Sequence, residues 1–339
     1  MRCAWVFLFL VTPDFAQTAA QLAVTGAGHL QANQPAQARA AFERSLLMNP
    51  TEFEALSGLG FLMYSQAQFV EARRFLERAL VVRPQSFQAR FLLGASLVQL
   101  KDHKSAIVQL RQAVARNPGN VDARKLLGAQ YVETRRYQEA IALLQQQPQL
   151  ERAPFDEETH LLLMEAHQSS GNSAGAFALA SKAAARFPES AQVLAWLGFQ
   201  LQFAGRYEDA KLPLRRAIAL DPAFPVALQV LGEVFLKQEN YTEAGVWLER
   251  ACALLPEDTE ILLALGRAQS ESGDTARSLK TLELAAHASP KDARIRFQLS
   301  RLYFRLGNEV RAREEAELSQ QLRDAQPAVM SPPIILRRR

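Results

Sequence analysis

The chain of 339 residues has few of the features that mark disulfide-stapled, all-β or membrane-spanning proteins. Its two cysteines, Cys3 and Cys252, cannot build a disulfide framework, and Cys252 is expected to pack as a small hydrophobe. No β-rich stretch is present. The apolar run over residues 3–11 is too short to cross a bilayer, so no transmembrane anchor is predicted.

Motifs of catalysis are missing as well. The sequence has no phosphate-binding P-loop and no HExxH zinc motif, and the glycine pairs at 26–28 and 58–60 lack the third glycine of a dinucleotide loop. His160 and His167 are seven residues apart, so two helical turns separate them and joint metal ligation is not expected. We predict that His167 packs in the core and that the protein is not an enzyme and holds neither metal nor cofactor.

What the sequence does contain is a ladder of prolines with a period of 34 residues. The ladder is interrupted once, by two extra residues, and consists of Pro50, Pro84, Pro118, Pro188, Pro222, Pro256 and Pro290. A fixed period of this size predicts a stack of similar units rather than a single wound core. Proline has no N–H and disfavours the α conformation at the preceding residue, so a helix should end before each one.

Each period has the pattern of two amphipathic helices joined by a tight turn. In residues 121–154, Leu127 and Tyr131 have helical spacing in the first part, and Ala140, Ile141 and Leu144 have it in the second. Helical hairpins of this kind pack their apolar faces against each other and against their neighbours.

Further ladders indicate how the two helices of a pair meet. Glycines recur in the first helix: Gly26, Gly60, Gly94, Gly128, Gly198, Gly232 and Gly266. A helical glycine costs about 1 kcal/mol relative to alanine, so we expect each to permit close approach of the second helix. That helix offers a small residue: Ala38, Ala72, Ala106, Ala140, Ala176, Ala210 and Ala244. Large residues surround it: Phe42, Leu76, Leu110, Leu144, Leu214, Leu248 and Leu282. Met164 and Ser300 depart from the glycine pattern.

Together these positions resemble the tetratricopeptide repeat family. The pattern is clearest in the seventh repeat, with Leu228, Leu231, Gly232, Phe235, Tyr241, Ala244, Leu248, Ala251 and Pro256. The resemblance covers about residues 19–322. It implies an all-α, right-handed α-solenoid of about nine helix pairs, in which the first helix of each pair lines a concave groove.

The resemblance also implies which side chains face that groove. The second, fifth, ninth, twelfth and thirteenth places of the first helix point inward in this family. The resulting candidates for the partner groove are Phe61, Tyr64, Phe91, Phe199, Phe203, Arg267, Arg294, Arg301 and Arg305, with Phe297 and Phe304 beside them. Aromatic residues and arginine are common anchors of interfaces. No asparagine occupies the ninth place, so an adaptor for chaperone tails is not expected.

Two functions are compatible with this pattern. The first is a non-catalytic scaffold that binds a peptide or protein in the concave groove, with cell-envelope assembly or secretion as one specific version. The alternative is an RNA- or polyanion-binding module, because residues 291–339 carry eleven Lys or Arg against six Asp or Glu. Residues 225–290 carry five Lys or Arg against ten Asp or Glu. Nucleic acid is the less favoured of the two kinds of partner. The oligomeric state stays open.

The ends of the chain and one internal stretch complete the organisation. Residues 1–16 are predicted to be a signal peptide, with Arg2 before an apolar run, which favours a periplasmic or secreted protein; cytoplasmic location is the alternative. Residues 19–152 should form repeats 1–4, and residues 153–323 should form repeats 5–9 with a polar C-terminal cap. Residues 145–158 are the candidate seam between these halves. Residues 324–339 are predicted to be a disordered basic tail.

Overall fold

A computed structural model describes residues 18–145 and 156–325. The predicted signal peptide, residues 146–155 of the seam and residues 326–339 of the C-terminal tail lie outside these ranges, whereas residues 324 and 325 of the predicted tail belong to the last helix. The chain divides between residues 149 and 150 into two compact units. The described residues form eighteen helices and no strand, which confirms the all-α prediction of nine helix pairs. No helix among them is long and apolar enough to span a membrane.

The first unit consists of four helix pairs. Its helices are α1 (Ala19–Gln31), α2 (Pro35–Met48), α3 (Phe53–Ser65), α4 (Phe69–Val82), α5 (Phe87–Gln99), α6 (His103–Arg116), α7 (Val121–Glu133) and α8 (Tyr137–Gln145). The first helix begins with a capping box, in which Thr18 and Gln21 each bond the other's backbone N–H.

The second unit consists of five helix pairs. Its helices are α9 (Glu157–Ser169), α10 (Ser173–Arg186), α11 (Ala191–Phe203), α12 (Tyr207–Leu220), α13 (Pro225–Lys237), α14 (Tyr241–Leu254), α15 (Thr259–Glu271), α16 (Thr275–Ala288), α17 (Ala293–Arg305) and α18 (Glu309–Ala325). The last of these buries only Ala312 and Ser319, as a polar final helix should. Pro213 is buried inside α12, which continues past it to Leu220.

Each ladder proline directly follows the end of a second helix, as predicted. The residue before each proline is the C-cap of that helix: Asn49, Arg83, Asn117, Phe187, Asp221, Leu255 and Ser289. The physical reason is local, since proline cannot donate the next helical hydrogen bond.

Within each unit, successive first helices lie closer to each other than successive second helices do. Successive first helices touch each other, as α3 touches α5 and α13 touches α15. Second helices of successive pairs have no contact of similar extent among the residues that the structure describes. A row whose members are closer together lies on the inside of a curve, so the first helices form the inner row of each unit.

The glycine ladder lets the two helices of a pair approach closely. A Cβ atom added to Gly198 would lie 2.4 Å from the Cγ of Leu214, and one on Gly94 would lie 2.7 Å from the Cγ of Leu110. These distances are well inside van der Waals contact. The expected close approach of the two helices is therefore present, and the structure adds that each ladder glycine faces the large residue sixteen positions later.

The departure at Met164 is compensated by a smaller residue opposite. Met164 is fully buried at the glycine place, and Ala180 replaces the large residue sixteen positions later. Both side chains belong to one core cluster of the second unit. Volume has thus moved from the second helix to the first, which keeps the interior filled. Ser300 makes a different adjustment and donates a hydrogen bond to the backbone carbonyl of Ala312 at 2.8 Å.

Candidate functional site

In each unit, the candidate site is the inner row of first helices. Three of the predicted aromatic residues of the first unit lie there, on α3 and α5. Phe61 is exposed, whereas Tyr64 is half-buried and meets Phe69 edge to face at 5.7 Å. Phe91 stacks on Phe87 with ring centroids 5.9 Å apart. Phe61 is therefore the most accessible of the three, while the other two are partly used in packing.

In the second unit, the two predicted phenylalanines of α11 have different surroundings. Phe199 is 8% exposed and belongs to the core, with its ring 5.8 Å from that of Trp196 in an edge-to-face contact. Phe203, one turn later, is 62% exposed. Of this pair, only Phe203 offers a large open apolar surface to a partner.

A polar group that the sequence did not single out lies next to this aromatic pair. The side-chain amides of Gln202 and Gln229 donate hydrogen bonds to the Glu233 carboxylate at 3.0 and 2.9 Å. Burial raises the pKa of the Glu233 carboxyl group above its ordinary value, and the nearby Glu260 adds to this effect. Glu233 is the ninth residue of its helix and Gln202 is the twelfth residue of its own, and both places belong to the predicted inward set. A search of these places for polar residues would have found them.

The four predicted arginines lie on α15 and α17, and three of them form ion pairs. Arg294 Nη1 lies 3.0 Å from a carboxylate oxygen of Glu260, and its Nη2 lies 2.7 Å from Asp292. Arg301 and Arg305 share the carboxylate of Glu271. These ion pairs tie the last two helix pairs to each other and neutralise part of the positive charge.

Two further side chains that could take part in chemistry are those of His167 and Cys252. His167 is buried, as predicted, and its Nδ1 lies 3.0 Å from the side-chain nitrogen of Asn172. Burial lowers the pKa of His167 and raises that of the half-buried Cys252 thiol. In the described ranges, no group of three or more His, Cys, Asp or Glu side chains is placed to hold a metal ion.

Comparisons with known families agree with the helix-pair architecture. A tetratricopeptide repeat model matches residues 29–94 and 235–296, and a second one matches residues 201–259. A model described as anaphase-promoting complex, cyclosome, subunit 3 matches residues 65–147. A search of curated proteins found no match.

Solved structures also resemble this chain. A tetratricopeptide repeat protein from Parabacteroides merdae ATCC 43184 is 13% identical, with a TM-score of 0.55 over 75% of this chain and 99% of that one. MamA from Desulfovibrio magneticus RS-1 is 20% identical over 50% of this chain and 96% of that one, at a TM-score of 0.45. The helix pairs, the glycine and proline ladders and the matching family models together identify this chain as a member of the tetratricopeptide repeat family.

Proposed function

We propose that this protein is a non-catalytic scaffold that binds a peptide or protein segment along the inner row of its first helices. The observation that carries the proposal is the exposed aromatic ring of Phe203 on that row. Covering an exposed apolar side chain with a partner is favourable by roughly 25 cal/mol for each Å² of apolar surface removed from water. Tetratricopeptide repeats are a scaffold fold typical of protein–protein interaction.

The RNA- or polyanion-binding alternative has weaker support. Phosphate binding needs cationic side chains that are available to neutralise phosphates. Three of the four inward arginines, Arg294, Arg301 and Arg305, already contact carboxylates within the protein, which leaves too few free cationic groups for a long run of phosphates. We also propose export, on the basis of the apolar N-terminal run, with a place in the cell envelope.

A crosslinking pull-down from the native cell tests the binding proposal. The bait is the full chain with a C-terminal tag, and it is compared with the Phe203→Ala variant. Phe203 is the better substitution because truncation of the buried Phe199 would also disturb the core. We expect a partner that is captured by the unchanged chain and depleted with Phe203→Ala. Equal recovery of every protein by both baits would contradict the proposed site.

The proposed export of the protein from the cytoplasm is tested by a separate experiment. Fractionation of the native cell and N-terminal sequencing of the purified protein should find it outside the cytoplasm, beginning at Gln17 or, if cleavage follows Ala20 instead of Ala16, at Gln21. A cytoplasmic protein that begins at Met1 would reject export without touching the binding proposal.

A further inference from the structure

The inner face of the last two helix pairs carries more positive than negative charge at one end. Arg267 on α15 and Arg301 and Arg305 on α17 lie at inward places. One carboxylate, that of Glu271, lies 3.3 Å from Arg301 Nη2 and 2.7 Å from Arg305 Nη2. Arg267 is exposed and forms no ion pair with any residue in the described part of the chain. These three arginines at inward places therefore have one carboxylate partner among them, that of Glu271.

Two exposed phenylalanines lie on the same face of α17. Phe297 is four residues before Arg301 and Phe304 is three residues after it, a spacing that places all three side chains on one side of a helix. Phe297 is 45% exposed and Phe304 is 67% exposed. We call the set of Arg267, Phe297, Arg301, Phe304 and Arg305 the arginine–phenylalanine surface.

We propose that the arginine–phenylalanine surface binds a protein segment in which acidic side chains alternate with apolar ones. This inference rests on the proposed scaffold function and specifies the chemistry of the partner. Arg267, which has no ion pair in the described residues, and the N–H groups of Arg301 other than the one bonded to Glu271 are suited to carboxylates. The rings of Phe297 and Phe304 receive the apolar side chains, and aromatic residues beside arginine are typical centres of protein interfaces.

Charge complementarity favours a short acidic segment over a long polyanion. The cationic excess is confined to one end of the inner face, and Glu260 and Glu271 lie within or beside it. Residues 225–290, which precede α17 in the stack, carry five Lys or Arg against ten Asp or Glu. A continuous phosphate backbone that left the arginines in that direction would meet like charge, which opposes its binding.

Fluorescence anisotropy with the purified full chain tests the inference. The probes are four labelled 12-residue oligomers: a peptide of alternating Glu and Leu or Phe, a peptide of Glu with Gly and Ser, a peptide of Lys with Leu and Phe, and a uridine RNA. We expect the acidic–apolar peptide to bind at least about tenfold more tightly than each of the others, because it alone engages both the arginines and the rings.

Three substitutions and one control locate the binding. Arg267→Ala and Phe304→Ala should each weaken binding of the acidic–apolar peptide by about tenfold, without changing the melting temperature, because both side chains are exposed. Glu271→Gln should strengthen it by about threefold, because two guanidinium groups lose their internal carboxylate. Arg277→Ala is the control, since Arg277 is an exposed arginine on α16 that pairs with Glu249 and should leave affinity unchanged.

Several outcomes would overturn the inference. They are tighter binding of the RNA with a steep loss of affinity in salt, binding that is insensitive to Arg267→Ala and Phe304→Ala, and absence of binding by any peptide. If no peptide binds but the pull-down still yields a partner that depends on Phe203, the inference fails and the scaffold function stands. If the pull-down also yields nothing that depends on Phe203, both are rejected.

Discussion

The Cγ atom of Leu248 lies 2.6 Å from the position that a Cβ atom of Gly232 would occupy. The carbonyl oxygen of Ala244 lies 3.3 Å from the same position, so backbone as well as side chain limits the space. Gly232→Leu should push the helices of the seventh pair apart and destabilise the protein by about 2–3 kcal/mol. Differential scanning calorimetry should record a melting temperature lower by several degrees.

A second glycine supplies the matched control for this prediction. Gly245 lies inside α14, and a Cβ atom there would have no neighbour within 4 Å. Gly245→Ala should stabilise the protein by about 0.5–1 kcal/mol, since alanine favours the helix and nothing obstructs it. Equal effects of Gly232→Ala and Gly245→Ala on the melting temperature would show that helix propensity, and not close approach, explains the glycine ladder.

The exchange of volume between Met164 and Ala180 predicts a non-additive pair. Met164→Gly should leave a cavity and destabilise by about 3 kcal/mol, while Ala180→Leu alone should overpack the same region. The double variant recreates the glycine and leucine arrangement of the other pairs and should recover at least half of the summed loss. Urea unfolding of all four proteins measures this coupling, and strict additivity would exclude it.

The environment of Glu233 predicts a pH dependence of stability. A carboxyl group whose pKa is raised in the folded state binds its proton more tightly there than in the unfolded chain. Its contribution is therefore fully present below the unfolded pKa and is lost as the pH rises through the folded pKa. Glu233→Gln should remove this loss, because a neutral amide can still bond with Gln202 and Gln229.

Urea midpoints of the unchanged chain and of Glu233→Gln between pH 4 and pH 8 measure this effect. The variant should gain stability relative to the unchanged chain as the pH rises. Parallel curves at all pH values would show that the Glu233 carboxyl group titrates alike in the folded and unfolded states.

Phe199 and Phe203 should separate stability from binding. Phe199→Ala should cost about 3–4 kcal/mol, because it empties a core site beside Trp196. Phe203→Ala should change stability by less than about 0.5 kcal/mol, because its ring is mostly in water. Thermal melts of the two variants give the comparison, and a destabilisation of similar size at both positions would assign Phe203 to the core.

Much of the architecture followed from local rules in the sequence. The prolines end helices through their own covalent structure, and the repeated glycines require a close neighbour wherever they occur. The compensation at Met164 was not foreseen, because it depends on the size of Ala180 in the second helix of the same pair. A residue that breaks a repeat pattern can only be interpreted together with its packing neighbour.

The sequence by itself determined the repeat period, the number of helix pairs and the ends of the second helices, because these depend on the residue types within a single repeat. Only the tertiary structure decided that Phe199 is buried and Phe203 exposed, that Glu271 joins Arg301 to Arg305, and that Gln202 bonds Glu233. These relationships depend on side chains about one repeat apart in sequence. Burial and ion pairing are properties of the stack, and they arise only when neighbouring repeats bring those side chains together.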